Sequence, residues 1–448
     1  MIAPARFLTR SLRLSPHGPA IARILAAGLD AVHPGEAVGR YVQRENDKLR
    51  IANKLYPLEK DRRTFIVALG KASLPMAESL ESILGDRLTG GVVIPKHAAG
   101  RTLNLLAVME GGHPIPDGRS LAAGRSVFEL LSGLRADDLV FCLISGGGSA
   151  LMVAPVEGVT LSDLQALTSA LLACGASIDE INILRRHLDR LKGGGLARLA
   201  SPARVVSLIL SDVVGNPLEA IASGPTAPDP STCADALAVL EKYKLPEKVP
   251  ESVMIALKSG HETSKPADAV FRNVDNILVG SNLLAAQAGL KQAGAEGFHP
   301  YLLRTDLQGE ACEVAVELCR VLRRAWQTGD PAPPPACIVA GGETTVTLHG
   351  DGRGGRNQEL ALASVAELVN FPDVMLVALA TDGEDGPTDA TGAVVTGETF
   401  GRAYALGLDP VDYLRRNDSY TFFAALDDLL KPGLTGTNVN DLTFLFTF

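Results

Sequence analysis

The chain is poor in aromatics: they make up 5% of its 448 residues, and tryptophan occurs once. Its cores must therefore be aliphatic, which suits parallel sheets covered by helices. Cysteine is sparse as well. The six, Cys142, Cys174, Cys233, Cys312, Cys319 and Cys337, form no CxxC pair, and several sit in apolar runs. That argues against a zinc site or a disulfide framework and fits a reducing compartment. No apolar stretch reaches the roughly 18 residues that a membrane span needs, so no membrane partner is expected. Positive charge is in deficit, with a formal net charge of -9. No basic stripe stands out, so nucleic acid is not an expected partner. In so acidic a chain an anionic substrate needs local cations, which makes single lysines and arginines in glycine loops informative.

What the chain does have is six short apolar runs that stop abruptly in glycine and polar residues. They are 65–69 into Gly70-Lys71, 139–144 into Ser145-Gly146-Gly147-Gly148-Ser149, and 205–210 into Ser211-Asp212. The others are 277–279 into Gly280-Ser281-Asn282, 337–340 into Gly341-Gly342-Glu343, and 375–380 into Thr381-Asp382-Gly383. Their length and apolar density predict buried parallel strands of an α/β fold. Ligands of open α/β sheets bind just beyond the carboxyl ends of the strands. Glycine there lets backbone N–H groups face an anion. The layout predicts a phosphate or nucleotide crevice. Length predicts two or three domains, and 46% hydrophobic residues supply their cores.

The first 17 residues carry Arg6, Arg10 and Arg13 with Thr9, Ser11 and Ser15 and no acid. That is the composition of a mitochondrial targeting segment; the alternative is a basic N-terminus without an address. The location is accordingly mitochondrial or cytoplasmic. A helix is expected from Pro19, with Ile21, Ile24, Leu25 and Leu29 on one face. Further helices are expected over 73–84 and 118–134, with a strand over 91–95 and a rigid loop over 111–117 between them. Ser177 followed by Glu180 reads as a capping box, and Gly193-Gly194-Gly195 as the end of that helix. Residues 224–236 and 244–268 are polar and mark a change of domain, with a second α/β series from near Asn276.

Individual residues then stand out. Lys71 sits between a strand and a helix, where a cation opposes the helix dipole by ~0.3–1 kcal/mol, so a phosphate partner is the better reading. The segment is not a P-loop: Phe65 stands where glycine is required and Ala72 where Ser or Thr is. Ser145, Gly146, Gly147, Gly148 and Ser149 offer consecutive backbone donors and two hydroxyls, the makings of an anion nest. Residues 350–357 match GxGxxG, with 344–348 read as a preceding strand and a helix following, which permits a dinucleotide reading. Arg356 lies at the start of that helix, and its guanidinium suits bidentate contact with phosphate or carboxylate. Asp212 and Asp382 follow apolar runs and offer hard oxygens to Mg²⁺, or alternatively cap the next helix. His113, Arg353, Glu343 and Asn438 are candidates for contact with substrate.

In order along the chain, these motifs resemble the glycerate 2-kinases of the MOFRL family (class II glycerate kinases). The matching segments are GKA at 70–72, GGHPIPD at 111–117, SGGGSAL at 145–151, LKGGGLA at 191–197, SDVVGN at 211–216 and ASGPT at 222–226. GGETTV at 341–346, GRGGRNQE at 352–359, TDGEDGPT at 381–388, NDS at 417–419 and TGTNVND at 435–441 continue the series. The resemblance implies an N-terminal Rossmann-like domain over 18–260 and a C-terminal α/β domain over 270–448 that contains the MOFRL region at 337–442. It implies an active site in the interdomain cleft and ATP-dependent phosphorylation of the C2 hydroxyl of D-glycerate, giving 2-phospho-D-glycerate and ADP. Lys71 and Arg356 fall on the residues regarded as catalytic in that family. Asn216 departs from the Asp often found there, and Asn supplies no carboxylate ligand. The alternatives kept beside this are an NAD(P)-dependent hydroxypyruvate reductase, suggested by GxGxxG, and a sugar-phosphate sensor without turnover. The expected partners are ATP, Mg²⁺ and D-glycerate, and a homo-oligomer is compatible with the sequence.

Overall fold

The structure is a computed structural model that describes residues 2–59 and 61–448. It consists of two compact units, Pro34–Val279 and Met1–His33 with Gly280–Phe448.

The unit Pro34–Val279 opens with a small antiparallel sheet of β1 (Val42–Glu45), β2 (Lys48–Ile51) and β3 (Lys54–Pro57). Its main strands are β4 (Thr64–Leu69), β5 (Gly90–Ile94), β6 (Leu106–Val108), β7 (Leu139–Ile144), β8 (Arg204–Leu210) and β9 (Val274–Gly280). They lie side by side in the order β6-β5-β4-β7-β8-β9. The pairs from β6 to β8 are all parallel. Every residue of β4 and β7 is buried, as their unbroken apolar runs require. From β4 the chain builds outward to β5 and β6, then returns to place β7 on the other flank of β4. That reversal makes the carboxyl ends of β4 and β7 a topological switch point, where doubly wound sheets bind ligands.

Helix Ser73–Leu84 follows β4 with the bounds its periodicity predicts. Helix Gly118–Leu131 precedes β7, capped by the Asp117 side chain. Helix Ile178–His187 starts at the predicted Ser177–Glu180 capping box. The three glycines at 193–195 do not end that helix, which stops at His187. Gly194, at φ +78°, is instead the cap that opens helix Gly195–Ala200. A helical layer with its own core of Leu164, Leu184, Leu240 and Val253 completes the unit.

The second unit holds β10 (His299–Leu307), β11 (Ala336–Gly342), β12 (Val374–Ala380), β13 (Gly392–Thr396), β14 (Leu429–Leu430) and β15 (Asp441–Thr447), in the order β10-β11-β15-β12-β13-β14. β10 and β11 are parallel. β15 is antiparallel to both β11 and β12, and β13 is antiparallel to β12. The run at 375–380 is therefore antiparallel on both sides, and the run at 337–340 on one, contrary to the all-parallel expectation. The cause is the last strand, buried along its whole length, which slots between them. Residues 344–348 form no strand; Thr345 alone makes a β-bridge, to Glu310.

Helix Gly18–Asp30 packs on helix Asn282–Ala295. Gly28 and Gly289 permit the approach: a Cβ would lie 3.3 Å from the Ala285 carbonyl oxygen at the first and 3.0 Å from the Phe444 ring at the second. Residues 18–33 thus pack within the same compact unit as residues 280–448. The basic N-terminal segment is folded into the same unit. Phe7 and Leu12 are fully buried. Ser11 donates from N and Oγ to Asp428, at 2.8 Å each, and Arg402 binds the same carboxylate at 2.7 Å. Among the described residues no helix is long and apolar enough to cross a membrane.

Candidate active site

At the switch point two loops lock together. Gly70 adopts φ +114°, and a Cβ there would meet the Ser145 carbonyl oxygen at 2.3 Å, so only glycine lets them touch. Lys71 N donates to Gly146 O at 2.9 Å and Ala72 N to Ser145 Oγ at 3.0 Å. Gly147, at φ +83°, precedes the right-handed turn Gly148–Leu151. Such left- and right-handed sequences direct successive N–H groups into an anion-binding hollow. A Cβ on Gly147 would lie 3.3 Å from the His113 imidazole and 3.4 Å from Lys71 Cγ, and one on Gly146 would lie 1.8 Å from Asp212 Oδ2. The structure therefore brings Lys71, His113, Asp212 and the loop Ser145–Ser149 together. Ser149 Oγ lies 2.8 Å from Ser223 Oγ, which donates to Asn182 Oδ1 at 2.9 Å.

Burial holds the His113 imidazole below its ordinary pKa, and the charges of Lys71, Lys96 and Arg185 push the same way. His113 is therefore a neutral hydrogen-bonding group at pH 7, in a surround built for a negative ligand.

The counterpart in the second unit centres on Arg356, first residue of helix Arg356–Glu367. Its Nε and Nη2 donate to Asp441 at 2.5 and 3.0 Å, and Nη1 lies 2.7 Å from Glu343. Asp441 opens β15 and Glu343 follows β11. Asp385 clamps the helix start by accepting from Asn357 N at 3.1 Å and Gln358 N at 2.9 Å. Burial opposes the charge on Arg356, but Asp441 and Glu343 outweigh it and raise its pKa, so it stays a guanidinium. Burial pushes Asp441 up to about 7, against the pull of Arg356.

Of the other candidates, Arg353 stacks over the Tyr420 ring at 4.1 Å and reaches the Pro387 carbonyl oxygen at 3.4 Å. Asn438 accepts from Asn440 N at 3.0 Å, and Asp382 from Glu384 N at 3.2 Å, each shaping its own loop. Glu343 alone of the second-unit substrate candidates touches Arg356. The GxGxxG glycines have a packing role: a Cβ on Gly350 or Gly352 would strike the Arg416 carbonyl oxygen at 2.5 or 2.4 Å, and no strand leads into them. The dinucleotide reading lacks its strand–turn–helix context.

Asp212 and Asp382 fall in separate units. Among the described residues the one gathering of ligand-type side chains is His187, Cys233 and Glu262, where Lys265 already sits 2.9 Å from Glu262. Neither aspartate is part of an all-protein cage. Asp212, against the glycine loop, fits the way Mg²⁺ is usually held beside nucleotides, by one or two carboxylates with water and phosphate oxygens.

Sequence reasoning missed Asp441, Asp385, Arg185 and Glu359. Glu359, 4% exposed on the Arg356 helix, is pushed up to about 7 by burial, although Asn417 donates to it at 3.2 Å. An unfolded glutamate, with a pKa near 4.5, sheds its proton first, so stability falls as pH rises from about 4.5 to about 7 and then levels. The cost at pH 8 is about 3 kcal/mol. Glu359→Gln keeps an acceptor for Asn417 and removes that cost. Urea unfolding at pH 5 and pH 8 is expected to show the variant gaining stability over the parent chiefly at pH 8; equal gains at both would refute the assignment.

The chain is similar to known proteins over nearly its whole length. Residues 20–258 match the family described as Domain of unknown function (DUF4147), and residues 336–441 match the MOFRL family. A Glycerate 2-kinase of Pyrococcus horikoshii is 40% identical, over 94% of this chain and 95% of its own length. A D-glycerate 2-kinase of Thermotoga maritima is 43% identical, over 85% and 89%. A crystal structure of glycerate kinase from Thermotoga maritima superposes with a TM-score of 0.85 at 39% identity, covering 95% of this chain and 98% of that one. With both domain families in sequence and such relatives matched over nearly their whole length, the chain belongs to the MOFRL-family glycerate kinases.

Proposed function

We propose that this kinase transfers the γ-phosphoryl group of ATP to the C2 hydroxyl of D-glycerate, yielding 2-phospho-D-glycerate and ADP. The observation that carries the reading is the convergence of Lys71, His113 and the Ser145–Ser149 loop at the switch point of a parallel sheet. The loop's N–H groups and Ser145 and Ser149 take phosphate oxygens, and Lys71 balances the charge of the group in transit. The neutral His113 accepts a hydrogen bond from the substrate hydroxyl. Arg356 supplies a second cation, oriented by Asp441, and Arg353, Glu343 and Asn438 are assigned to substrate contact. Asp212, against the glycine loop, is assigned to Mg²⁺, and Asp382 is a separate candidate in the second unit. When bound, Mg²⁺ would neutralise charge on the phosphates. Phosphoryl transfer needs positioning and charge stabilisation more than covalent help from the protein.

The test is ADP release with D-glycerate, ATP and Mg²⁺, run beside a nicotinamide control, with the product examined by NMR. The expected result is glycerate-dependent ADP and phosphorus coupled to the C2 proton. Phosphorus coupled to the C3 protons, or a nicotinamide absorbance change without ATP, would overturn the reading.

A further inference from the structure

Four cations lie within eight residues after Leu184, and three of them are committed. Arg186 sits 2.9 Å from Asp229, Lys192 sits 2.6 Å from Asp189, and Arg190 lies over the Phe128 ring at 4.4 Å. The Arg185 side chain has neither a hydrogen bond nor a carboxylate partner among the described residues, although burial penalises its charge. A half-buried unpaired guanidinium is costly unless an anion completes it.

Its surroundings say which anion. Arg185 and Ser149 line the same small cavity, of about 30 Å³, whose other walls include Leu164, Leu184, Leu188 and the paired Asp189 and Lys192. One turn earlier on the same helix, Asn182 accepts from Ser223, which is bonded to Ser149, so this helix face is fixed to the glycine loop. The charge of Arg185 is also felt at His113, which lies against Gly147 of that loop. The cavity is too small for a chain of phosphates. It takes no more than one planar two-oxygen group, with the rest of a ligand outside it, and such a group matches the fork of a guanidinium.

We infer that Arg185 binds the carboxylate of the acceptor, a small 2-hydroxy acid, in the cavity beside Ser149. The inference rests on the kinase reading above for its acceptor. Arg185 anchors the acid end, and the adjacent C2 hydroxyl is then held one carbon away from the anchor, beside the loop.

The experiment compares the parent with Arg185→Gln and Arg185→Lys. Arg185→Gln is expected to raise KM for D-glycerate at least about tenfold, the worth of a lost charge-assisted bond, with KM for ATP within about twofold. Arg185→Lys is expected to recover part of that loss. The parent should prefer glycerate to its amide, and Arg185→Gln should lose the preference. A parent-like melting temperature keeps the effect local. An unchanged KM for glycerate in a folded variant overturns the inference, and so does a rise confined to the KM for ATP, which would mark a nucleotide phosphate site. Calorimetry with glycerate alone separates the two readings. If the parent binds glycerate, Arg185→Gln does not, and no ADP forms, the kinase reading fails while the carboxylate site stands.

Discussion

Arg356→Ala lowers glycerate-dependent turnover by about 10³-fold or more, the scale of a cation acting on a transferring phosphoryl group. Arg356 is bound by two carboxylates, which at first sight marks a structural ion pair. Two features argue otherwise. Its side chain keeps 31% exposure while Asp441 has 9%, so the acid is hidden and the guanidinium is presented. Asp441 also takes Nε and Nη2 and leaves Nη1 to the more exposed Glu343. Such a hold orients a guanidinium before substrate arrives, which is where electrostatic catalysis gains most. The fold should survive the change, because Asp441 is already raised to about 7 and takes up a proton when its partner is lost. Arg356→Lys is not expected to restore the rate, since an ammonium cannot reproduce the fork. Asp441→Asn should fall between parent and Arg356→Ala. Steady-state kcat with a circular dichroism melt checks all three, and turnover near the parent value in Arg356→Ala removes the residue from the reaction.

The positions of Lys71 and Arg356 were legible in the sequence, because each is a cation set against local electrostatics or at an abrupt strand or helix boundary. Strands β4, β7 and β8 were legible for the same reason: a fully buried parallel strand is an unbroken apolar run. What escaped was what depends on distant partners. Asp441 stands at the head of a strand whose place between β11 and β12 is set by residues about 60–110 positions away. Nothing local distinguishes its direction, so the run at 375–380 looked parallel. Helix Gly18–Asp30 finds its partner some 250 residues on, through small residues that have no directional signal of their own. Arg185 sits in the last turn of its helix beside Arg186 and His187, where basic residues are ordinary complements to the dipole. Only the missing counter-ion separates it from its neighbours, and that is visible in three dimensions alone. The GxGxxG match erred in the other direction. Its spacing is met, but the glycines serve close packing on the backbone at Arg416.

Lys71→Met is expected to lower kcat for glycerate phosphorylation by about 10²–10³, the range for removing one preorganised group that stabilises developing charge. Its main-chain N–H is tied to Gly146 O, and that bond does not depend on the side chain. The side chain is exposed, so methionine in its place leaves the core and the loop unaltered. A second readout is independent of turnover. After burial, Lys71 is the largest influence holding His113 below its ordinary pKa. With the ammonium gone, the charged imidazole is less penalised, and the His113 titration followed by NMR should move upward, toward the ordinary histidine value of about 6.5. Saturating nucleotide should move it the same way in the parent, because phosphate charge opposes that of Lys71. A loss of rate with no movement of His113 would mean that ammonium and imidazole do not share one electrostatic site, and the phosphate-binding assignment of the loop between them would fall with it.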